Sequence, residues 1–260
     1  MLKHDGVDKV YVSSVNTDPL LYQYIGELIA YLRANFAYVG IRTNAAMLNE
    51  DNYSVLDNCT EEISISVNSC VKSESFAISG KNSFHEWRNL IQYLKTHPGE
   101  KHDVRVSIVV NRHNEGSILQ AIQTLAEKFP SDIRYIQLRK VYKYGDRRHC
   151  REDWAAFEKI ASKMERKFKR IGSYHESPIY EAFGIKVSLW RDVFSPESVE
   201  SINYFSDGKI TTNHLLVPGY EHWTSDAAHA PALNRVELVY GGRQNFIQGV
   251  TDIYKKINTE

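Results

Sequence analysis

Apolar and polar positions fall into two alternating kinds of block along the first 141 residues. Short runs rich in Val and Ile predict five strands: KVYVSSV (9–15), YVGIRTN (38–44), EISISVN (62–68), VRVSIVVN (104–111) and IRYIQLRKV (133–141). Helix-periodic stripes separate them. Leu20, Leu21, Tyr24, Ile25, Leu28, Ile29 and Leu32 predict a helix over 19–34, with Asp18 as its cap and Pro19 at its first position. Ser83 to Glu86 forms a capping-box pattern that opens a second helix through Trp87, Leu90 and Leu94. A third runs through Ile118, Ile122, Leu125 and Phe129. Residues 45–59 read as a helix or an irregular turn, and 70–82 as a loop.

The links between these strands are too long for hairpins, so the pattern predicts a parallel sheet built from right-handed crossovers. The nearly unbroken apolar run at 104–111 suits a strand buried on both faces. Periodicity alone leaves an open doubly wound sheet and a barrel equally available. After Lys143 the pattern changes. A charged connection, YGDRRHCRED, leads into an amphipathic helix through Trp154, Phe157, Ile160, Ala161, Met164 and Phe168. Residues 174–217 are β-rich, with a hairpin turn at Ser206-Asp207-Gly208. VELVYGG adds one more strand, and a helix is expected over 244–257. The chain therefore divides into an α/β core (1–145) and a mixed α+β extension (146–260).

Composition narrows the function without naming it. The chain has 260 residues, with 42% hydrophobic and 25% charged positions, and Lys+Arg and Asp+Glu both number 32. A formal net charge of zero gives no field for nucleic acid or an anionic membrane. No apolar run is long enough to span a bilayer, and MLKHDGVDKV has no signal core. Cys59, Cys70 and Cys150 are sparse and odd in number, which fits a reducing, cytoplasmic setting better than a disulfide scaffold.

Polar residues gather where the core strands end: Asn16-Thr17-Asp18, Thr43-Asn44, Asn68-Ser69 and Asn111 to Glu115, with Gln137 and Arg139 near the end of the fifth strand. In parallel α/β folds the carboxyl ends of the strands are where ligands sit. Amides and hydroxyls there suit a hydroxyl-rich, amine-bearing small molecule. Each cluster taken alone has a plainer explanation, because loops are polar and helices need caps.

On these residues the chain resembles the radical S-adenosylmethionine (radical SAM) enzymes. KVYVSSVNTDPLL resembles their second strand and its Gly-Gly-Glu-Pro-like end. VGIRTNAAML resembles the third, with Ala45 where the family's Thr-Asn-Gly carries glycine. EISISVNSC, VRVSIVVNRHNEGSI and IRYIQLRKVY resemble the fourth, fifth and sixth. The resemblance covers about residues 7–145. It implies a partial TIM-type (β/α) barrel containing strands two to six. It also implies S-adenosylmethionine as cosubstrate. Asn16, Thr17 and Asp18 would face the methionyl amine, Asn44, Ser66 and Asn68 the cosubstrate's polar groups, and Asn111 the adenosyl end.

One departure from the family matters. Its members hold a 4Fe–4S cluster on a Cys-x-x-x-Cys-x-x-Cys loop after the first strand. That loop is absent here, and the chain starts just before the second strand. A barrel without its first unit leaves a bare parallel edge on the strand at 9–15. The resemblance therefore implies an N-terminal segment missing from this chain, or a complementing chain. It also implies that the chain is inactive alone in radical chemistry on its unknown substrate.

Two further readings come from other classes. One is a non-catalytic ligand-binding or partner domain that keeps the barrel rim. The other is an unrelated α/β enzyme with Cys70 as nucleophile and His85 or His113 as base. The basic cluster Arg147, Arg148 and Arg151 around His149-Cys150 would suit a phosphate, an acidic partner or an activated thiol, but most simply forms a solvated connection.

Overall fold

The computed structural model describes residues 9–14, 18–80, 84–97, 104–141, 147–174, 177–191, 201–205, 210–211 and 235–240. Asn16, Thr17, the capping Ser83, the turn at 206–208 and the helix expected over 244–257 lie outside the described residues. Two compact units form. The first comprises Met1–Thr43, Asn49–Ile63 and Pro196–Glu260; the second comprises Asn44–Leu48 and Ser64–Ser195.

In the first unit β1 (Lys9–Ser14) leads through a three-residue 3-10 turn (Pro19–Leu21) into α1 (Ile25–Asn35), β2 (Tyr38–Thr43) and α2 (Tyr53–Asp57). The single helix expected over 19–34 is thus broken. Asp18 caps the first short turn, and the chain re-enters helix only at Ile25, which buries Ile25, Leu28, Ile29 and Leu32. β1 and β2 pair in parallel, as the long link between them requires. The other edge of β1 is not bare. β11 (Arg235–Tyr240) pairs with it in parallel over six residues, from Lys9 opposite Arg235 to Ser14 opposite Tyr240. This corrects the expected open edge: the apolar VELVY run returns from the extension and satisfies the backbone groups of β1. Beyond it, β9 (Ser201–Phe205) pairs in parallel with β11, and β10 (Ile210–Thr211) forms an antiparallel hairpin with β9.

The second unit holds β3 (Ile63–Ser66, from Ser64 on), α3 (Lys72–Ser79), α4 (Phe84–Thr96), β4 (Val104–Val110), α5 (Ile118–Lys128), β5 (Ile133–Lys140), α6 (Arg147–Lys167), β6 (Lys169–Tyr174), β7 (Ser177–Ala182) and β8 (Ile185–Trp190). Its strand order is β3-β4-β5-β8-β7-β6. β4, β5 and β8 run parallel, and β7 and β6 fold back as antiparallel hairpins. The β7–β8 turn, Phe183-Gly184, has positive φ at both residues (54° and 84°), the backbone a tight two-residue hairpin needs.

The segment 70–82 contains a helix, α3, not the expected loop. Its composition hides it, because Ser75 is its buried residue and Phe76 is exposed. Polar anchoring takes the place of an apolar stripe, and Gly80 ends it in the left-handed region. The class is α/β. Crossover strands that follow one another in the sequence are neighbours in each unit (β1-β2, then β3-β4-β5), an order that barrels share, and neither sheet closes.

Candidate functional site

In both units polar side chains meet at the carboxyl ends of the strands. In the first, Asp18 follows the end of β1. Its Oδ1 accepts from Leu20 N at 2.9 Å, and its backbone oxygen accepts from Leu21 N at 3.0 Å. Thr43, the last residue of β2, donates its hydroxyl to the same carboxylate, 2.7 Å from Oδ2 and 2.9 Å from Oδ1. Asp18 is buried, so this carboxylate cross-links two strand ends as well as capping a turn. A methionyl amine would have to share it with Thr43.

In the second unit Asn44 sits in its own turn, its Oδ1 accepting from Ala46 N at 2.8 Å. Ala45 next to it has φ 58°, in the left-handed region. The residue that replaces the family-like glycine therefore keeps a glycine backbone. Asn89 of α4 holds this turn by donating to Ala45 O at 2.8 Å. Glu86, one turn earlier on α4, accepts from Asn68 Nδ2 at 2.9 Å. Side chains three apart on a helix share a face, so α4 braces both the turn after residue 44 and the end of β3. Ser66, the last residue of β3, is exposed.

Asn111 is buried and folds back on its own turn. Its Oδ1 accepts from His113 N at 2.9 Å, and its Nδ2 donates to Val109 O at 3.3 Å. The residue that joins the strand ends is Asn114, which is fully buried. Its Nδ2 donates to Asn68 O (2.8 Å) and Val109 O (2.9 Å), and its Oδ1 accepts from Asn111 N (2.9 Å). One amide therefore welds the end of β3 to the end of β4. Of the expected site residues, Asn68 and Asn111 come together through Asn114, with Ser66 two positions before Asn68 on the exposed side.

Ser69 belongs to the Asn68-Ser69 cluster read from the sequence, whereas Glu74 and Ser117 were not singled out there. Glu74, on α3, accepts hydrogen bonds from both the Ser69 and the Ser117 hydroxyl, and the two hydroxyl oxygens lie 3.3 Å apart. Ser69 Oγ also accepts from Val71 N at 2.9 Å. With 70–82 read as a loop, nothing marked Glu74 as an anchor. The polar run 111–115 did mark the Asn114 turn.

Neither Cys59 nor Cys70 suits nucleophilic chemistry. Burial pushes the Cys59 thiol up to about 12; Arg33 lowers it and Asp57 raises it by lesser amounts. Its Sγ donates to Val55 O at 3.4 Å. Burial likewise raises the Cys70 thiol, partly offset by the Ser117 hydroxyl and reinforced by Glu74. An activated sulfur needs the reverse, a lowered pKa. Among the described residues no three His, Cys, Asp or Glu side chains gather to hold a metal. Cys59 and Cys70 do not reproduce the Cys-x-x-x-Cys-x-x-Cys spacing of a radical SAM cluster loop. The amides, hydroxyls and engaged carboxylates at the strand ends are equipped for binding and orientation.

Among the described residues no helix is long and apolar enough to cross a membrane. No family model matches the chain, and no curated protein matches it. Among solved structures, one titled as TYW1 with a lysine-pyruvate adduct bound is similar at 21% identity and a TM-score of 0.46. The match spans 64% of this chain and 53% of the other.

Proposed function

We propose that this chain is a radical SAM-like protein of the cytoplasm that binds S-adenosylmethionine at its strand ends without holding an iron–sulfur cluster of its own. One observation carries the reading. Asn68 and Asn111, which the family resemblance assigns to the cosubstrate, are held together by Asn114 at the carboxyl ends of β3 and β4, with Ser66 exposed beside them. Amide and hydroxyl groups fixed in this way match the ribose, carboxylate and adenine of the cosubstrate in hydrogen-bonding type. Asn44 contributes from its own turn, and Asn16, Thr17 and Asp18 are assigned to the amine.

The thiols argue for division of labour. Burial raises the Cys59 and Cys70 thiols, and both are engaged, so radical chemistry on a substrate would need a cluster supplied by a segment outside this sequence or by a partner chain. On its own the chain acts as a ligand-binding domain. Its residues bind and orient the cosubstrate.

Calorimetric titration of the full chain with S-adenosylmethionine tests the reading. Saturable binding without added iron, weakened in Ser66→Ala and Asn111→Ala variants that melt normally, is the expected result. Absence of binding at millimolar cosubstrate would sink it. Reductive cleavage of the cosubstrate by the chain alone would overturn the division of labour.

A further inference from the structure

The turn after β4, residues 111–115, carries both Asn111 and Asn114, and its own groups close most of it. Asn111 N donates to Asn114 Oδ1 and His113 N to Asn111 Oδ1, each at 2.9 Å. Asn114 N and Glu115 N both donate to Asn111 O, at 3.3 Å and 3.1 Å. The Arg112 amide instead bonds outside the turn. It donates to Asp153 Oδ1 on α6 at 3.0 Å, 41 residues later in the chain. Main-chain groups must find partners somewhere, and here the partner sits on a different element.

The same carboxylate takes the Arg112 side chain, whose Nη1 lies 3.3 Å from Oδ1 and 3.4 Å from Oδ2. Glu152 adds a contact of 3.6 Å to Arg112 Nε. At the other end of the turn Glu115 pairs with Lys159 Nζ. Asp153 and Lys159 lie about 9 Å apart along the axis of α6, so the helix grips both ends of the turn. The helix is itself firmly seated. It buries Ala156, Phe157, Ile160, Ala161 and Met164. Trp154 Nε1 donates to Val141 O at 2.8 Å, just past β5, and Lys140 on β5 pairs with Glu158 at 3.3 Å. Through these contacts α6 sets where the 111–115 turn stands relative to β5.

Ion pairs on a helix surface usually contribute little, and a solvated charged face is the plain explanation of such a pattern. Two observations go further. The Asp153 and Glu115 side chains are only 14% and 20% exposed, so water screens them less than an open surface pair. Asp153 also bonds a main-chain amide, and hydrogen bonds to an ionised acceptor are the stronger kind. That amide is the next residue after Asn111, so releasing it frees the backbone that aims the Asn111 side chain. We propose that Asp153 and Lys159 are positioning residues for ligand binding: they hold the 111–115 turn in the form that presents Asn111 to the adenosyl end of the cosubstrate. The proposal rests on the S-adenosylmethionine reading for its ligand, and on the contacts of α6 for its mechanism.

Calorimetric titration and amide hydrogen exchange of the full chain test this. The ligands are S-adenosylmethionine and methylthioadenosine, which keeps the adenosyl end without the amino acid. Asp153→Ala should weaken both by about ten-fold. It should also speed exchange of the Asn114, Glu115 and Ser117 amides while those of β5 exchange as before. Asp153→Asn keeps an acceptor for the Arg112 amide and should weaken binding by only about three-fold. Lys159→Glu should weaken binding, and adding Glu115→Lys should restore it to within about two-fold, because the exchanged charges pair again. If Asp153→Ala fails to fold, Asp153→Asn and the charge exchange decide. Affinities untouched by Asp153→Ala, or a charge exchange that restores nothing, overturn the proposal. If the unaltered chain binds neither ligand, the cosubstrate reading fails and amide exchange decides alone: faster exchange of the turn in Asp153→Ala upholds the positioning role, and unchanged exchange overturns it.

Discussion

The hydroxyl of Thr43 lies 2.7 Å and 2.9 Å from the two carboxylate oxygens of Asp18, twenty-five residues earlier in the chain. That contact ties the end of β2 to the cap of the turn after β1. Asp18→Ala removes the cap and both carboxylate contacts of the buried Thr43 hydroxyl, so it should cost about 2–3 kcal/mol. Asp18→Asn keeps an acceptor oxygen for Leu20 N and should cost less than half of that. Urea denaturation of both variants checks the order. Equal losses would mean that the charge outweighs the cap.

Two exchanges between glycine and alanine should have opposite signs. A Cβ on Gly40 would lie 2.7 Å from Glu62 O and from two carbons of the Tyr11 ring. Backbone cannot yield as a side-chain tip can, so Gly40→Ala should destabilise by about 1–3 kcal/mol. Ala45, at φ 58°, should gain about 0.5–1 kcal/mol as glycine, since an L side chain is disfavoured in that region. Thermal melts of the two single variants test the pair.

These particulars show how far the chain could be read in advance. The strands at 9–14, 38–43, 104–110 and 133–140 were legible because β-branched runs alternate with helix-periodic ones, and a parallel sheet follows from link length. Asp18-Pro19 was legible as a cap because that chemistry is local. What escaped was long-range or polar in origin. Helix α3 buries a serine where an apolar stripe would mark a helix, so periodicity had nothing to detect. The pairing of β11 with β1 joins residues more than two hundred positions apart, and no local signal encodes it. Asn114 looked like one more polar loop residue, and only its bonds to Asn68 and Val109 set it apart.

Stability should fall on the alkaline side because of Cys59. Its folded pKa is raised from 9.0 to about 12, so the folded chain holds this proton more tightly than the unfolded chain. That contribution is fully present below pH 9 and is lost as the pH rises towards 12. In this window one such proton changes stability by about 1.4 kcal/mol per pH unit. Raised Tyr53 and Tyr180 hydroxyls add to the same trend. Cys59→Ser can keep the bond to Val55 O without titrating, so its denaturation midpoint should fall less steeply than that of the unaltered chain. Parallel slopes would place the thiol's folded pKa near its ordinary value.

Glu74 offers the sharpest test of how the strand-end turns are held. Its carboxylate collects the hydroxyls of Ser69, just after β3, and Ser117, at the start of α5. Both serines are buried, but the Ser117 hydroxyl also reaches Asn114 O at 3.2 Å, so Glu74→Ala strands chiefly the Ser69 hydroxyl and should cost about 1–3 kcal/mol. Glu74→Gln retains one acceptor oxygen and should cost roughly half. The three side chains act as one network, so the losses should not add. In a Ser69→Ala, Ser117→Ala background, Glu74→Ala should cost less than about 1 kcal/mol, because no buried hydroxyl is left wanting a partner. Full additivity of the three substitutions in urea denaturation would show that α3 is held by its backbone and by Ser75, whose hydroxyl donates to Ser69 O at 3.4 Å, and not by the carboxylate.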